Sequence, residues 1–323
     1  VKKVGRPAVM MACVPASCEI LAFVLFAPSI LGITRVEAAV MGAVLGAVSP
    51  AVVIPRMVQL MEEHYGTEKS IPQMIMAGAS CDDIFVIVLF STFVSMAQGG
   101  SANVMDFVNI PVSILLGVAL GAVTGLLLSA FFETAYAHEH CVRNSMKVII
   151  VLGTAFLLMA IETWLKGIVS VSGLLAVVSM ACTIKLKCVP FVSKRLSEKF
   201  GKLWLAAEVL LFVLVGAAVD IRYTLNAGLA AVGMIFLALA IRAMGVCLCM
   251  LGTPLTAKER LFCVIAYLPK ATVQAAIGSV PLAMGLPCGQ LVLSVAVLAI
   301  LITAPLGALG MDLTYQKLLV KEE

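Results

Sequence analysis

Ten long apolar runs separated by short polar stretches divide this chain. Read by window and by breaker residues, they fall at 8–30, 36–60, 71–97, 109–132, 147–165, 168–185, 203–220, 227–251, 260–284 and 289–314. Runs of this length predict membrane-crossing helices. Three are unusual. The first carries Pro15-Ala-Ser-Cys-Glu19 at mid-depth. The second is interrupted at Gly46-Ala-Val-Ser-Pro50 and again at Pro55. The ninth is interrupted at Leu268-Pro-Lys-Ala-Thr-Val-Gln274, with Gly278 and Pro281 beyond. Proline lacks an N–H and crowds the preceding turn. Carbonyls near Val48 are therefore expected to be free, and such groups persist at membrane depth only against protein or a wet cavity.

The two broken spans lie seven passes apart, so they run in opposite directions, and each is the middle of a group of three. Paired interruptions of that kind point to an inverted repeat with its site at the breaks. The expected organisation is one transmembrane domain, 1–323. Within it, 8–97 forms a first three-helix core repeat, 109–220 supplies linking helices on a dimer side, and 227–314 forms a second, inverted core repeat.

Composition agrees with a polytopic all-α membrane protein. Hydrophobic residues make up 62% and charged residues 12%, with a mean hydropathy of +1.11; soluble domains carry about 25% charge. The placement of charge is more informative than the net +4. Of the 22 Lys and Arg, Arg35, Lys166 and Arg222 lie on one side of the membrane, Arg242 and Lys270 lie inside spans, and the other 17 share the opposite side. That asymmetry supports the span count and places both ends of the chain on the cytoplasmic side. The ten Cys form no CxxC and read as small core residues. His138-Glu-His140 reads as a solvated turn.

Against this background Asp82 and Asp83 stand out. They lie side by side in the apolar run 71–97. Each ionised side chain near a bilayer centre costs roughly 2.5–3.5 kcal/mol on insertion scales, and two neighbours repel. A buried, water-reached pair of this kind suits a site that exchanges a metal cation for protons. Counted from the cytoplasmic ends, Glu19, Asp82, Lys270 and Arg242 lie about 10–12 residues in, roughly 15–18 Å at 1.5 Å per residue. Buried charges are tolerated in pairs. Pairing Glu19 with Arg242 would leave Asp82 and Asp83 with Lys270 nearby. Glu162 and Glu208, near span ends, read as interfacial; Asp220 and Arg222 read as a loop pair.

Other classes fit less well. An intramembrane aspartyl protease places its two acids on separate helices, whereas these splay about 100° apart on one. A cation channel would show no proton coupling. A sodium-coupled solute symporter needs an organic substrate, and the chain has no large aromatic pocket.

Gly46-Ala-Val-Ser-Pro-Ala-Val-Val-Ile-Pro55, Gly66-Thr-Glu-Lys69 and Ser80-Cys-Asp-Asp83, with Lys258-Glu-Arg-Leu-Phe262 and Tyr267-Leu-Pro-Lys-Ala-Thr-Val-Gln-Ala-Ala-Ile-Gly278, carry a specific likeness. Over nearly its whole length the chain resembles the sodium/proton antiporters of the NHA branch of the cation:proton antiporter superfamily. The resemblance implies an inverted-repeat antiporter fold with two crossing discontinuous helices, a mobile core domain and a dimerisation domain. Two or three N-terminal helices of that fold would lie outside this chain. It implies that Asp82 and Asp83 bind Na⁺ or Li⁺ and carry protons, Asp83 being the main cation ligand. Asp83, Asp82, Ser49, a freed carbonyl near Val48 and water are expected to supply the oxygen ligands, with Glu19 and Lys270 neutralising the half-helix ends at the breaks. It places Ser49 and Pro50 at the crossing-helix breakpoint, Arg242 where the bacterial prototype has a membrane Lys, Glu19 as the acid paired with Arg242, and Lys270 as the basic residue of the second crossing helix. It implies alternating access, no cofactor beyond the transported ions, no nucleic-acid partner, a homodimer in a lipid bilayer, and a bacterial inner or plasma membrane. K⁺/H⁺ antiport is the runner-up within the same fold.

Overall fold

The two predicted breaks are where helices end. The computed structural model describes residues 5–98, 104–137, 144–165, 169, 171, 173–218 and 221–322. His138, His140 and Asp220 lie outside the described residues, as do the side chains of Glu208 and Arg222. The elements are α1 (Gly5–Leu31), α2 (Arg35–Gly46), α3 (Pro50–Glu62), α4 (Ile71–Ala97), α5 (Val104–Ala137), α6 (Asn144–Leu165), α7 (Gly173–Lys187), α8 (Pro190–Ala218), α9 (Ile221–Cys249), α10 (Ala257–Ala266), α11 (Thr272–Gly278), α12 (Val280–Ala283) and α13 (Gly289–Leu318). All the described secondary structure beyond turns and one isolated β-bridge is helical.

Among the described residues, seven of the ten predicted spans form helices or helix pairs long and apolar enough to cross a membrane. The other three are α7, only 15 residues long, α8, whose first half is polar, and the interrupted α10–α12. Pro55 does not interrupt its helix: α3 continues through it. Proline inside a membrane helix is accommodated when neighbours re-satisfy the freed backbone, and α1 likewise runs unbroken through Pro15 and Pro28.

The first half of each broken helix starts with the same device. Thr34 accepts from the Glu37 N–H while Glu37 accepts from the Thr34 N–H, and Thr256 and Glu259 repeat this at α10. Such reciprocal boxes satisfy two orphan donors at a helix start. Glu259 is buried and also receives Lys69 Nζ at 2.9 Å. Burial alone would push its carboxyl up, but the Thr256 hydrogen bonds and Lys69 more than offset this and hold it below the usual range.

The helices group into two units, α1–α4 with α9–α13, and α5–α7 with the N-terminal part of α8. In the first, α1 packs against α2, α4 and α9, and α13 packs against both broken helices. Close approach relies on small residues: Gly42 of α2 meets Ile20 and Phe23 of α1, and Gly245 of α9 meets Pro15 and Cys18. Gly307 of α13 seats the second break, since a Cβ there would lie 2.4 Å from Pro269 Cγ and 3.1 Å from Pro269 N. Gly307→Ala is expected to cost about 1–3 kcal/mol through this overpacking. It should appear as a fall in the thermal midpoint of the detergent-solubilised protein; an unchanged midpoint would refute the seat.

In the second unit α5 and α7 touch through Gly121 and Gly125, which face Ala176 and Met180. Glu162, expected to be interfacial, accepts from the Gly173 N–H at 3.0 Å and caps the start of α7. Both units leave large apolar side chains exposed, including Trp164, Leu186, Leu301 and Leu313, the surface a lipid-facing bundle presents.

Candidate functional site

α2 stops at Gly46 because Ala47, Val48 and Ser49 turn extended before Pro50 opens α3. Pro at the first helical position loses nothing, since that N–H has no helical partner. α10 stops at Ala266, Tyr267 forms a turn, and Leu268–Ala271 run without helical structure before α11. The breaks touch: Ser49 N–H donates to Pro269 carbonyl at 2.8 Å.

A helix end leaves carbonyls without partners. At α2 three consecutive ones are taken by side chains from α9, the second break and α11. Lys270 Nζ donates to Leu45 carbonyl, Arg242 Nη1 to Gly46 carbonyl, and Gln274 Nε2 to Ala47 carbonyl at 2.8 Å. The carbonyls expected to be free beside Val48 are therefore engaged, and two of the three donors are cations that complement the negative end of the α2 dipole.

The intramembrane charges converge here. Arg242, fully buried on α9, donates Nη1 to Glu19 Oε2 at 2.8 Å, Nη2 to Asp82 Oδ2 at 3.2 Å and Nε to Tyr267 carbonyl at 3.0 Å. Lys270 Nζ lies 2.8 Å from Glu19 Oε1, with its backbone N–H held by Thr303 Oγ1. Asp82 Oδ2 also accepts from Val48 N–H at 2.8 Å.

The predicted pairing is half right. Glu19 does meet Arg242, but it also takes Lys270, and Asp82 takes Arg242. The reason is geometric: a guanidinium presents several donors in a fork and can bridge two carboxylates, whereas an ammonium is a point charge. Glu19 does not cap a helix end; Lys270 does.

The adjacent acids occupy different surroundings. Asp82 is fully buried, while Asp83 is partly exposed, beside exposed Ser80 and Cys81. Asp82 Oδ1, Asp83 Oδ1, Ser49 Oγ and Gln274 Oε1 are buried oxygens with no hydrogen-bond partner. Tyr267 hydroxyl, buried against Gly78, is likewise unpartnered. Among the described residues no group of three or more His, Cys, Asp or Glu is arranged to hold a metal ion.

Gln274, Thr303 and Tyr267 were not anticipated as site residues. Single polar residues in apolar runs give no periodic signal. The capping boxes were legible: Thr-x-x-Glu stands immediately before both apolar runs that break.

Comparison with known proteins places these features in context. Residues 1–313 match the family model described as "Sodium/hydrogen exchanger, transmembrane". Human sodium/hydrogen exchanger 9B2 is 34% identical across 100% of this chain, and human sodium/hydrogen exchanger 9B1 is 33% identical across 95%. In each case the chain spans 60% of the relative's length. The solved sodium proton antiporter MjNhaP1 from Methanocaldococcus jannaschii superposes with a TM-score of 0.81 at 21% identity, covering 98% of this chain and 80% of that one. The likeness is one of fold. Both named relatives are human, so the bacterial membrane expected above gains no support from them.

Proposed function

This chain belongs to the sodium/hydrogen exchanger family, and from that premise we propose that it is an integral membrane antiporter exchanging Na⁺ or Li⁺ for protons at Asp82 and Asp83. The observation that carries the reading is the charge balance of the buried cluster. Glu19, Asp82, Arg242 and Lys270 contact one another as two anions and two cations. Asp83 is the charge left over. One positive charge at Asp83 neutralises the site, and either a proton or a monovalent cation can supply it. Occupancy by one excludes the other, which couples the two fluxes.

The donor set suits a small hard cation. Asp83 Oδ1, Asp82 Oδ1 and Ser49 Oγ are buried oxygens without protein partners, and carboxylate and hydroxyl oxygens are the ligands such ions take. Val48 turns its N–H, not a carbonyl, toward Asp82, so the backbone there positions the carboxylate. Arg242 stays charged at any working pH, so protons are exchanged at the acids. Alternating access presents the pair to one side at a time, and the one-sided distribution of Lys and Arg supports a cytoplasmic location for both chain ends. A homodimer in the bilayer, with no cofactor beyond the transported ions, completes the reading.

The test is proton flux in proteoliposomes. An inward Na⁺ or Li⁺ gradient is expected to drive proton exit, with no requirement for an organic solute. Flux driven by K⁺ alone would reassign the cation. Na⁺ entry without proton movement, or only with an organic solute, would overturn the antiport reading.

A further inference from the structure

We propose that Gln274 is a positioning residue for Asp82: its side-chain amide holds one backbone peptide with the N–H directed at Oδ2 of the carboxylate, and so keeps Asp82 oriented for the transported cation. The inference rests on the exchange reading above.

Ala47 carbonyl and Val48 N–H belong to the same peptide group. Because that group is planar, its C=O and N–H point in opposite directions. Gln274 Nε2 donates to the carbonyl edge at 2.8 Å, and Asp82 Oδ2 accepts from the N–H edge at 2.8 Å. Ala47 has φ −78° and ψ 147°, so this peptide lies beyond the end of α2 and no helical ladder fixes its orientation. A rotated peptide would turn a carbonyl oxygen toward Asp82 and replace attraction with repulsion. Gln274 bars that rotation from the far side.

The side chain itself argues for the role. Gln274 is fully buried on α11, and its Oε1 has no partner. A buried amide left half-satisfied is costly, and a Met of similar length would fill the space without that cost. The bond to Ala47 carbonyl is the contact the amide makes. Hydrogen bonds in series also polarise one another, so donation to the carbonyl strengthens the donation to Asp82.

The other groups around Asp82 are Arg242 from α9, with Glu19 of α1 on its far side, Cys13 from α1, Lys270 and Tyr267 from the second break, and Asp83 on α4. Substituting Gln274 alters none of them, so its effect reads out through the Ala47–Val48 peptide.

The experiment measures the apparent KM for Na⁺ and the maximal rate of Na⁺-driven proton flux in proteoliposomes, at one fixed alkaline pH, for the wild type, Gln274→Met and Gln274→Asn. In Gln274→Met the apparent KM for Na⁺ is expected to rise about 3–10-fold while the maximal rate stays within about twofold of wild type, the size set by one weakened hydrogen bond to a charged group. A purely architectural cap would lower the thermal midpoint and leave the KM in place. An unmoved KM with normal wild-type exchange overturns the inference alone. Absence of exchange in the wild type overturns the antiport reading, and this inference with it. If Gln274→Met does not reach the membrane, Gln274→Asn decides on the same KM. Its amide is one methylene short of Ala47, so a raised KM supports the assignment and an unmoved KM overturns it.

Discussion

Asp83→Asn is expected to reduce Na⁺-driven proton movement to the level of empty liposomes while the protein inserts and folds at normal level. The two halves of that expectation share one cause. Asp83 carries the charge that the Arg242–Glu19–Lys270–Asp82 cluster does not compensate, and its Oδ1 has no hydrogen-bond partner. Removing it breaks no ion pair and relieves a partly desolvated charge. The thermal midpoint should therefore hold or rise, as happens where a functional group was held at a cost in stability. Wild-type exchange in Asp83→Asn would remove the residue from the transport site. Loss of exchange with an equal loss of folded protein would make its role structural.

Arg242→Met should do the opposite and damage the fold. One guanidinium serves Glu19, Asp82 and the carbonyls of Gly46 and Tyr267. Without it Asp82 is a fully buried carboxylate with no cationic partner, and an acceptor at the end of α2 is orphaned. Breaking a buried pair by removing one partner costs about 3–5 kcal/mol, a large part of a net stability of about 5–15 kcal/mol. The expected result is little monodisperse protein in detergent and a sharply lowered thermal midpoint. Arg242→Lys should fall between Met and wild type, because it restores the charge without the fork that reaches four acceptors. Near-wild-type stability of Arg242→Met would show that the cluster is not what holds the break.

What could be read in advance, and what could not, divides along a physical line. Pro50 and Pro269 advertise the breaks, since a residue without an N–H leaves a mark in any apolar run. Asp82, Asp83, Glu19, Arg242 and Lys270 advertise themselves by their cost, and counting residues inward placed them at one depth. The pairing was not legible. Whether Asp82 meets Arg242 or Lys270 depends on how α4, α9 and the α10–α11 break approach one another, and no local signal carries that. Pro55 was over-read, because a proline's cost depends on neighbours that only the fold supplies. Gln274 was invisible for the reverse reason: an uncharged amide in an apolar run is cheap enough to pass as ordinary until its partner, 227 residues away in the chain, is seen.

The sealed end of α2 also bears on how the protein is made. Leu45, Gly46 and Ala47 emerge early, but Arg242, Lys270 and Gln274, which cover their carbonyls, follow 196 to 227 residues later. At about 5–20 residues per second of synthesis that is an interval of about 10–45 s. Throughout it the nascent first half must shelter three bare acceptors, in water or within the insertion machinery, because hydrocarbon cannot. Insertion of the first broken helix is therefore completed only when the second arrives, and the two halves of the chain mature as one event.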